Sequence, residues 1–354
     1  VEGILMRAIV YDREARKAGL AELPAPRPGT SSEVLFQPSL AAICGSDLHM
    51  FHGSPAYGWV LPRLVLGHEG VGTVAGEEGA FVVDPYLPCG SCTMCRRGET
   101  STCMGPAGGR GKESAPWSLQ YGFRRHGTMG EAIAVERSAL VPVPAGLAPE
   151  LAALSEGAAV SWHGIEVGAQ HLLGAGLDTA VVLGPGPVGA SAALFLGARG
   201  VKVGVLGLPR DAERLRRTER LGAAVAVSDV KALEEAVDAW TGGAGVDLVI
   251  EATGSEPAWG TATSLVRRGG VVVGLGIPGQ ALSLEVRRLV RGGVIVCGAY
   301  GVRRSDVERT LEFLHAHQER AMALFDRTFP LGQGGEAFEY AAGSSGKVLL
   351  DVRR

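Results

Sequence analysis

Between an apolar run at residues 180–183 and a helix-like stretch at 188–199, the chain carries Gly184, Gly186 and Gly189 in a G-x-G-x-x-G spacing. A strand that turns at once into a helix needs one residue tolerant of positive φ, one whose backbone a ligand can approach, and one that lets helix and strand touch. Glycine meets all three needs. Beyond the turn, apolar runs at 201–206, 224–227, 246–250 and 270–275 alternate with helix-like stretches at 211–221 and 230–240. Such alternation builds a parallel sheet with covering helices. Residues 161–299 are therefore read as a Rossmann-type, doubly wound α/β domain, with a dinucleotide pyrophosphate at the helix N-terminus formed by Gly186, Pro187, Val188 and Gly189.

The cofactor follows from the end of the second strand. A carboxylate placed there binds the ribose of NAD, but this strand ends in Gly207, followed by Leu208, Pro209 and Arg210. A missing carboxylate beside an arginine suits the 2′-phosphate of NADP. Asp211 is the alternative ribose partner, and Arg210, Arg214 and Arg217 also fit a solvated helix face. The reading is NAD or NADP, leaning to NADP.

Residues 1–160 show short β runs, at 7–11, 33–38 and 70–75, separated by turns, as in a mainly antiparallel, barrel-like domain. Within it, Cys89, Cys92, Cys95 and Cys103 form a C-x-x-C-x-x-C run closed by a fourth cysteine seven residues on. Four thiolates at that spacing supply the closed tetrahedral shell of a structural zinc. Two disulfides are the competing reading, disfavoured by the two-residue gaps and by a length that builds a core without staples. A nucleic-acid-binding zinc ribbon would want a basic surround, whereas 34 Lys+Arg face 37 Asp+Glu, net charge −3. The longest apolar stretch, 180–198, is broken by glycines and prolines, so no membrane span is expected. Unpaired thiols and the lack of a signal-peptide pattern suggest the cytoplasm.

Away from the lobe stand Cys44 in ICGSDLH and His68 and Glu69 in GHEGVG. A thiolate, an imidazole and a carboxylate with an open fourth position are what a catalytic zinc requires. The plainer alternative is a buried apolar thiol and a core imidazole.

Taken in order, ICGSDLH, GHEGVG, the cysteine lobe, LGPGPVG at 183–189 and EATG at 251–254 resemble the zinc-containing medium-chain dehydrogenase/reductase family, in particular its polyol (sorbitol), glucose and threonine dehydrogenase branches. The resemblance extends over nearly the whole chain. It implies a GroES-like catalytic domain at 1–160, the dinucleotide domain at 161–299, and a return to the catalytic domain at 300–354. It implies two zinc ions per chain. One is structural, at Cys89, Cys92, Cys95 and Cys103; the other is catalytic, at Cys44, His68 and a carboxylate, either Glu69 or Glu156 of LSEGAAVSWHG, where Gly157 replaces the branch's usual proline.

The same resemblance implies that hydride passes between a secondary alcohol of a small polar substrate (polyol, sugar or cyclitol-like) and NAD(P). Ser46 and His49 would relay the proton, Asp47 would orient His68, and Thr253 and Gly254 would join the cofactor site. His163 is a candidate lining residue. Relatives are homodimers or homotetramers. The alternatives are a dehydrogenase of threonine-like amino alcohols or simple alcohols, a zinc-free double-bond reductase, which would lack the lobe, and a nucleotide-binding sensor, which would lose Cys44, His68 or Ser46. The glycine-rich excursion at 104–130 reads equally as a substrate lid or a surface loop.

Overall fold

The strand Val246–Glu251 is buried along its whole length, as a central strand must be when helices cover both faces of a parallel sheet. In the computed structural model, which describes residues 4–105, 119–174 and 176–354, that strand lies inside a six-stranded sheet. The order is Val225–Val227, Lys202–Leu206, Thr179–Leu183, Val246–Glu251, Val266–Gly274, Ile295–Gly298, with every pairing parallel. Succession runs outward in both directions from Thr179–Leu183, so the strand order reverses beside the glycine turn that follows it.

One strand starts earlier than its sequence suggests. The sequence reading starts this run at 270, beside the paired glycines, yet the strand spans Val266–Gly274. Val266 pairs with Val246, Val271 pairs with Leu248, and the register shifts between them. A Cβ on Gly270 would lie 2.9 Å from the Asp247 carbonyl oxygen, so this glycine marks a close backbone approach inside an irregular strand.

The chain divides into two compact units, Val1–Gly157 with Val302–Gln318 and Phe325–Arg354, and Ala158–Gly301 with Glu319–Leu324. Residues 300–354 do not all enter the first unit, as the sequence reading has it. Glu319–Leu324 joins the second, where the Ala323 carbonyl accepts from Arg217 Nη1 at 3.3 Å and Ala321 and Leu324 are buried.

In the first unit, a seven-stranded sheet runs Leu140–Pro142, Phe81–Val83, Glu69–Val74, Glu33–Ala42, Lys347–Asp351, Phe325–Pro330, with Ile133–Glu136 also paired to Glu33–Ala42. All its pairings are antiparallel except the last, between Phe325–Pro330 and Lys347–Asp351. Phe338, Val348 and Leu350 from the end of the chain share a core with Ile9, Met50 and Leu64 from its beginning. No helix among the described residues is long and apolar enough to cross a membrane.

Candidate functional site

The strand Glu33–Ala42 has a neighbour on each side at its C-terminal end. Glu69 lies opposite Ala42 on one side and Leu349 lies opposite it on the other. Past Ala42 the chain turns into the helix Gly45–Phe51, with Cys44 as its N-cap. Neighbouring strands sit about 4.8 Å apart, so residues from three distant stretches meet at this sheet end. One ligand atom each from Cys44, His68 and Glu69 lies within 4.8 Å of the others.

The surroundings of this group are charged and dry. Asp47, fully buried, accepts from the Cys44 amide at 3.0 Å and the Gly67 amide at 3.3 Å, and its Oδ2 lies 3.8 Å from His68 Nδ1. Burial pushes the Asp47 carboxyl above its usual range, against the pull of His68. Burial works to lower His68, but Asp47 and then Cys44 outweigh it and raise the imidazole well above its ordinary value. Three buried atoms here have no hydrogen-bond partner: Ser46 Oγ, His68 Nδ1 and Glu69 Oε2. Unpaired buried polar atoms cost free energy that a cation or substrate oxygen can offset. A thiolate, an imidazole and a carboxylate suit zinc, so the residues present fit the ion.

Lys347 is the residue that sequence reasoning missed. Its terminal GSSGK context offers no motif, yet the structure buries it, pairs it with Glu69 Oε1, and lets it donate to the Ile43 carbonyl at 3.4 Å. Burial disfavours its charge, but Glu69 and Cys44 hold its pKa above the usual value. Glu156, near the start of the helix Ser155–Gln170, lies outside the three-residue group. Burial pushes its carboxyl up to about 7, opposed by His68 and aided by Glu69. A Cβ on Gly157 would lie 3.0 Å from Glu69 Oε1, so the glycine at this position makes room for the Glu69–Lys347 pair.

His49 is exposed, with its ring 6.2 Å from Tyr57. Tyr57, Trp59 and Phe123 form a stack with 14–28° between ring planes, and the Phe123 ring lies 5.0 Å from His68. Nothing in their spacing along the chain signals this convergence. His163 is buried on the helix Ser155–Gln170. Cys297 is half-buried with its pKa raised by burial, in keeping with an inert thiol. Of the excursion at 104–130, residues 106–118, including Gly108, Gly109, Gly111 and Trp117, lie outside the described residues.

The ligand atoms of Cys89, Cys92, Cys95 and Cys103 also lie within 4.8 Å of one another. Sγ–Sγ separations of 3.4 Å (Cys92–Cys95) and 3.9 Å (Cys89–Cys95) exceed a disulfide's roughly 2 Å, and all four thiols are free. Amides of Cys92 and Cys89 donate to Cys89 Sγ and Cys103 Sγ, both at 3.3 Å. Hydrogen bonds from Ser91 bring Cys89 down to about 6, while burial and neighbouring thiols push Cys95 up to about 12. Four adjacent thiolates need a central cation to coexist, and this closed all-sulfur set fits a structural zinc.

In the second unit, Gly184 has φ +102°, and a Cβ on Gly189 would lie 1.9 Å from the Gly184 carbonyl oxygen. Gly186 is the N-cap of the helix Pro187–Ala198 and makes no side-chain cap, the arrangement that leaves a helix N-terminus able to take an anion. At the next strand end, a Cβ on Gly207 would lie 2.9 Å from Pro185 Cγ. The Asp211 carboxylate accepts from the Leu208 amide at 2.9 Å and from Arg214 at 3.2 Å, while Arg210 is exposed. Thr253 and Gly254 are held by the buried Glu251, which accepts from Thr253 Oγ1 at 2.5 Å and from the Gly254 amide at 3.0 Å.

Comparison with known proteins gives matching results for both units. Residues 30–145 match the family described as alcohol dehydrogenase GroES-like domain, and residues 187–316 match that described as zinc-binding dehydrogenase. The chain is 28% identical to a sorbitol dehydrogenase of Halalkalibacterium halodurans, over 93% of this chain and 94% of that protein. It is 27% identical to a D-arabitol-phosphate dehydrogenase of Enterococcus avium, over 99% and 97%. Among solved structures, the alcohol dehydrogenase TADH from Thermus sp. ATN1 superposes with a TM-score of 0.82 at 27% identity, covering 98% of this chain and 100% of that one.

Proposed function

Because the chain belongs to the zinc-containing medium-chain dehydrogenase family, and is thus an alcohol or polyol dehydrogenase using zinc and a nicotinamide cofactor, we propose that it oxidises a secondary alcohol of a small polar molecule, a polyol or sugar-like compound. The convergence of Cys44, His68 and Glu69 around unpartnered buried atoms carries this reading. Relatives named for sorbitol and arabitol phosphate support the substrate class.

Cys44, His68 and one carboxylate, Glu69 or Glu156, would hold the catalytic ion, and Glu69 is the carboxylate that shares the group. Zinc supplies a Lewis acid that lowers the pKa of an alcohol toward neutrality. Asp47 Oδ2 stands 3.8 Å from His68 Nδ1 and would help to orient the ring. Ser46 Oγ, buried and without a hydrogen-bond partner, would relay the proton by accepting one as it gives up its own, and His49, exposed, would pass it on to water. Lys347 pairs with Glu69 Oε1 while Oε2 stays unpaired. The Gly184–Gly189 turn binds the pyrophosphate. With Gly207 in place of a carboxylate and Asp211 engaged in its own turn, NADP is the proposed cofactor.

The test is Cys44→Ser. Turnover with a panel of polyols should vanish, while dinucleotide affinity, read by quenching of protein fluorescence, stays within about twofold. Equal loss of both would count against these roles. Metal analysis should find two zinc ions per chain in the wild type and one in the variant.

A further inference from the structure

A concavity of about 550 Å³ opens in the first unit among residues that the proposed reaction does not use. Met6, Leu23, Leu61, Val65 and Ile133 give it an apolar floor. Five charged or titratable side chains also line it: Arg63, Arg124, Arg125, His126 and Glu33. The single acid is already engaged, since Glu33 accepts from the Gly29 amide at 2.7 Å and from Arg125 at 3.0 Å. Arg125 reaches Glu136 at 3.9 Å as well. That pair cancels, and the remaining lining is basic.

Arg124 is the informative member. Its Nε is buried and has no hydrogen-bond acceptor. The guanidinium carbon stands 5.5 Å over the Trp59 ring, a contact that fixes the plane of the fork without supplying an acceptor. Next to it, His126 Nδ1 accepts from the Val65 amide at 3.1 Å, which places the ring proton on Nε2. Partial burial lowers the His126 pKa, and Nε2 is the ring nitrogen left to donate. Donors without acceptors above an apolar floor call for a ligand with an anionic end and a hydrocarbon body. The volume is that of a small-molecule site.

We propose that this concavity binds an apolar-tailed carboxylate, with Arg124 gripping the carboxylate and the floor of Met6, Leu23 and Ile133 taking the tail. A planar carboxylate matches the guanidinium fork, and each buried methylene adds about fourfold in affinity. The site stands whether or not the proposed reaction is correct, because none of its residues belongs to the Cys44, His68 and Glu69 group.

Isothermal titration of the metal-loaded protein with butanoate, hexanoate, octanoate and octanol tests it. Octanoate should bind saturably, more tightly than hexanoate by about fifteenfold, and octanol should bind at least tenfold more weakly than octanoate. Arg124→Gln should weaken octanoate at least tenfold. Arg63→Glu, a change at an exposed side chain, should weaken it severalfold and covers the case in which Arg124→Gln fails to fold. Cys44→Ser should leave octanoate binding unchanged, which separates this site from carboxylate binding at the zinc. No saturable octanoate binding, octanol binding as tightly as octanoate, unchanged affinity in the folded Arg variants, or loss confined to Cys44→Ser would each overturn the proposal.

Discussion

Lys347→Met removes the cation from a buried carboxylate and replaces it with a side chain of similar length. Glu69 is 0% exposed and Lys347 is 7% exposed, so water cannot take over the lost contact. Two unit charges at about 4 Å attract by about 4 kcal/mol at an effective dielectric of 20. Breaking one partner out of such a pair costs about 3–5 kcal/mol, because the remaining charge is left desolvated. Glu69 Oε2 is already unpartnered, so the variant leaves both oxygens without a donor. Glu69→Gln in the same background removes the stranded charge. The double variant should therefore be more stable than the sum of the single losses by at least about 1.5 kcal/mol. Urea unfolding, followed by far-UV circular dichroism and near-UV fluorescence, measures all four proteins. Repeating the set after chelation should enlarge the Lys347→Met loss, since the metal is then no longer a second cation beside Glu69. A loss below about 1 kcal/mol, or strict additivity of the two changes, would refute the view that Lys347 neutralises Glu69 in a dry site.

Gly189→Ala would place a carbon 1.9 Å from the Gly184 carbonyl, so the helix has to move away from the strand; dinucleotide affinity should fall at least a hundredfold, measured by fluorescence titration. Cys95→Ser should lower the zinc content by one ion per chain, measured by elemental analysis, and shorten the half-life at elevated temperature, because it breaks the four-cysteine group. Asp247 accepts from the Asp178 amide, Thr179 and Arg267, at 2.7–3.1 Å, and these bonds outweigh burial to lower its pKa. A lowered folded pKa means that its stabilisation is full above the unfolded value of about 3.9 and fades as pH falls through the folded value. Asp247→Asn should then cost about 1–3 kcal/mol at pH 7, with the gap to wild type closing below about pH 4 in urea titrations.

Local chemistry made much of this protein legible from its residues in order. The turn at Gly184, Gly186 and Gly189 and the lobe at Cys89 to Cys103 are each complete within about fifteen residues, so spacing alone shows which backbone and which thiols must come together. Alternating apolar runs and helices likewise specify a parallel sheet, because each strand needs apolar side chains on both faces. The tertiary structure decided matters that depend on sheet register and on partners distant in the chain. Glu69 and Lys347 are 278 residues apart and meet because two strands flank Ala42 on opposite sides. The Tyr57, Trp59 and Phe123 stack, the course of Glu319–Leu324 into the second unit, and the unpaired donor of Arg124 arise in the same way. A turn or a metal knuckle is fixed by neighbours along the backbone, whereas the neutralisation of a buried charge is fixed by whichever residue the folded sheet brings within reach.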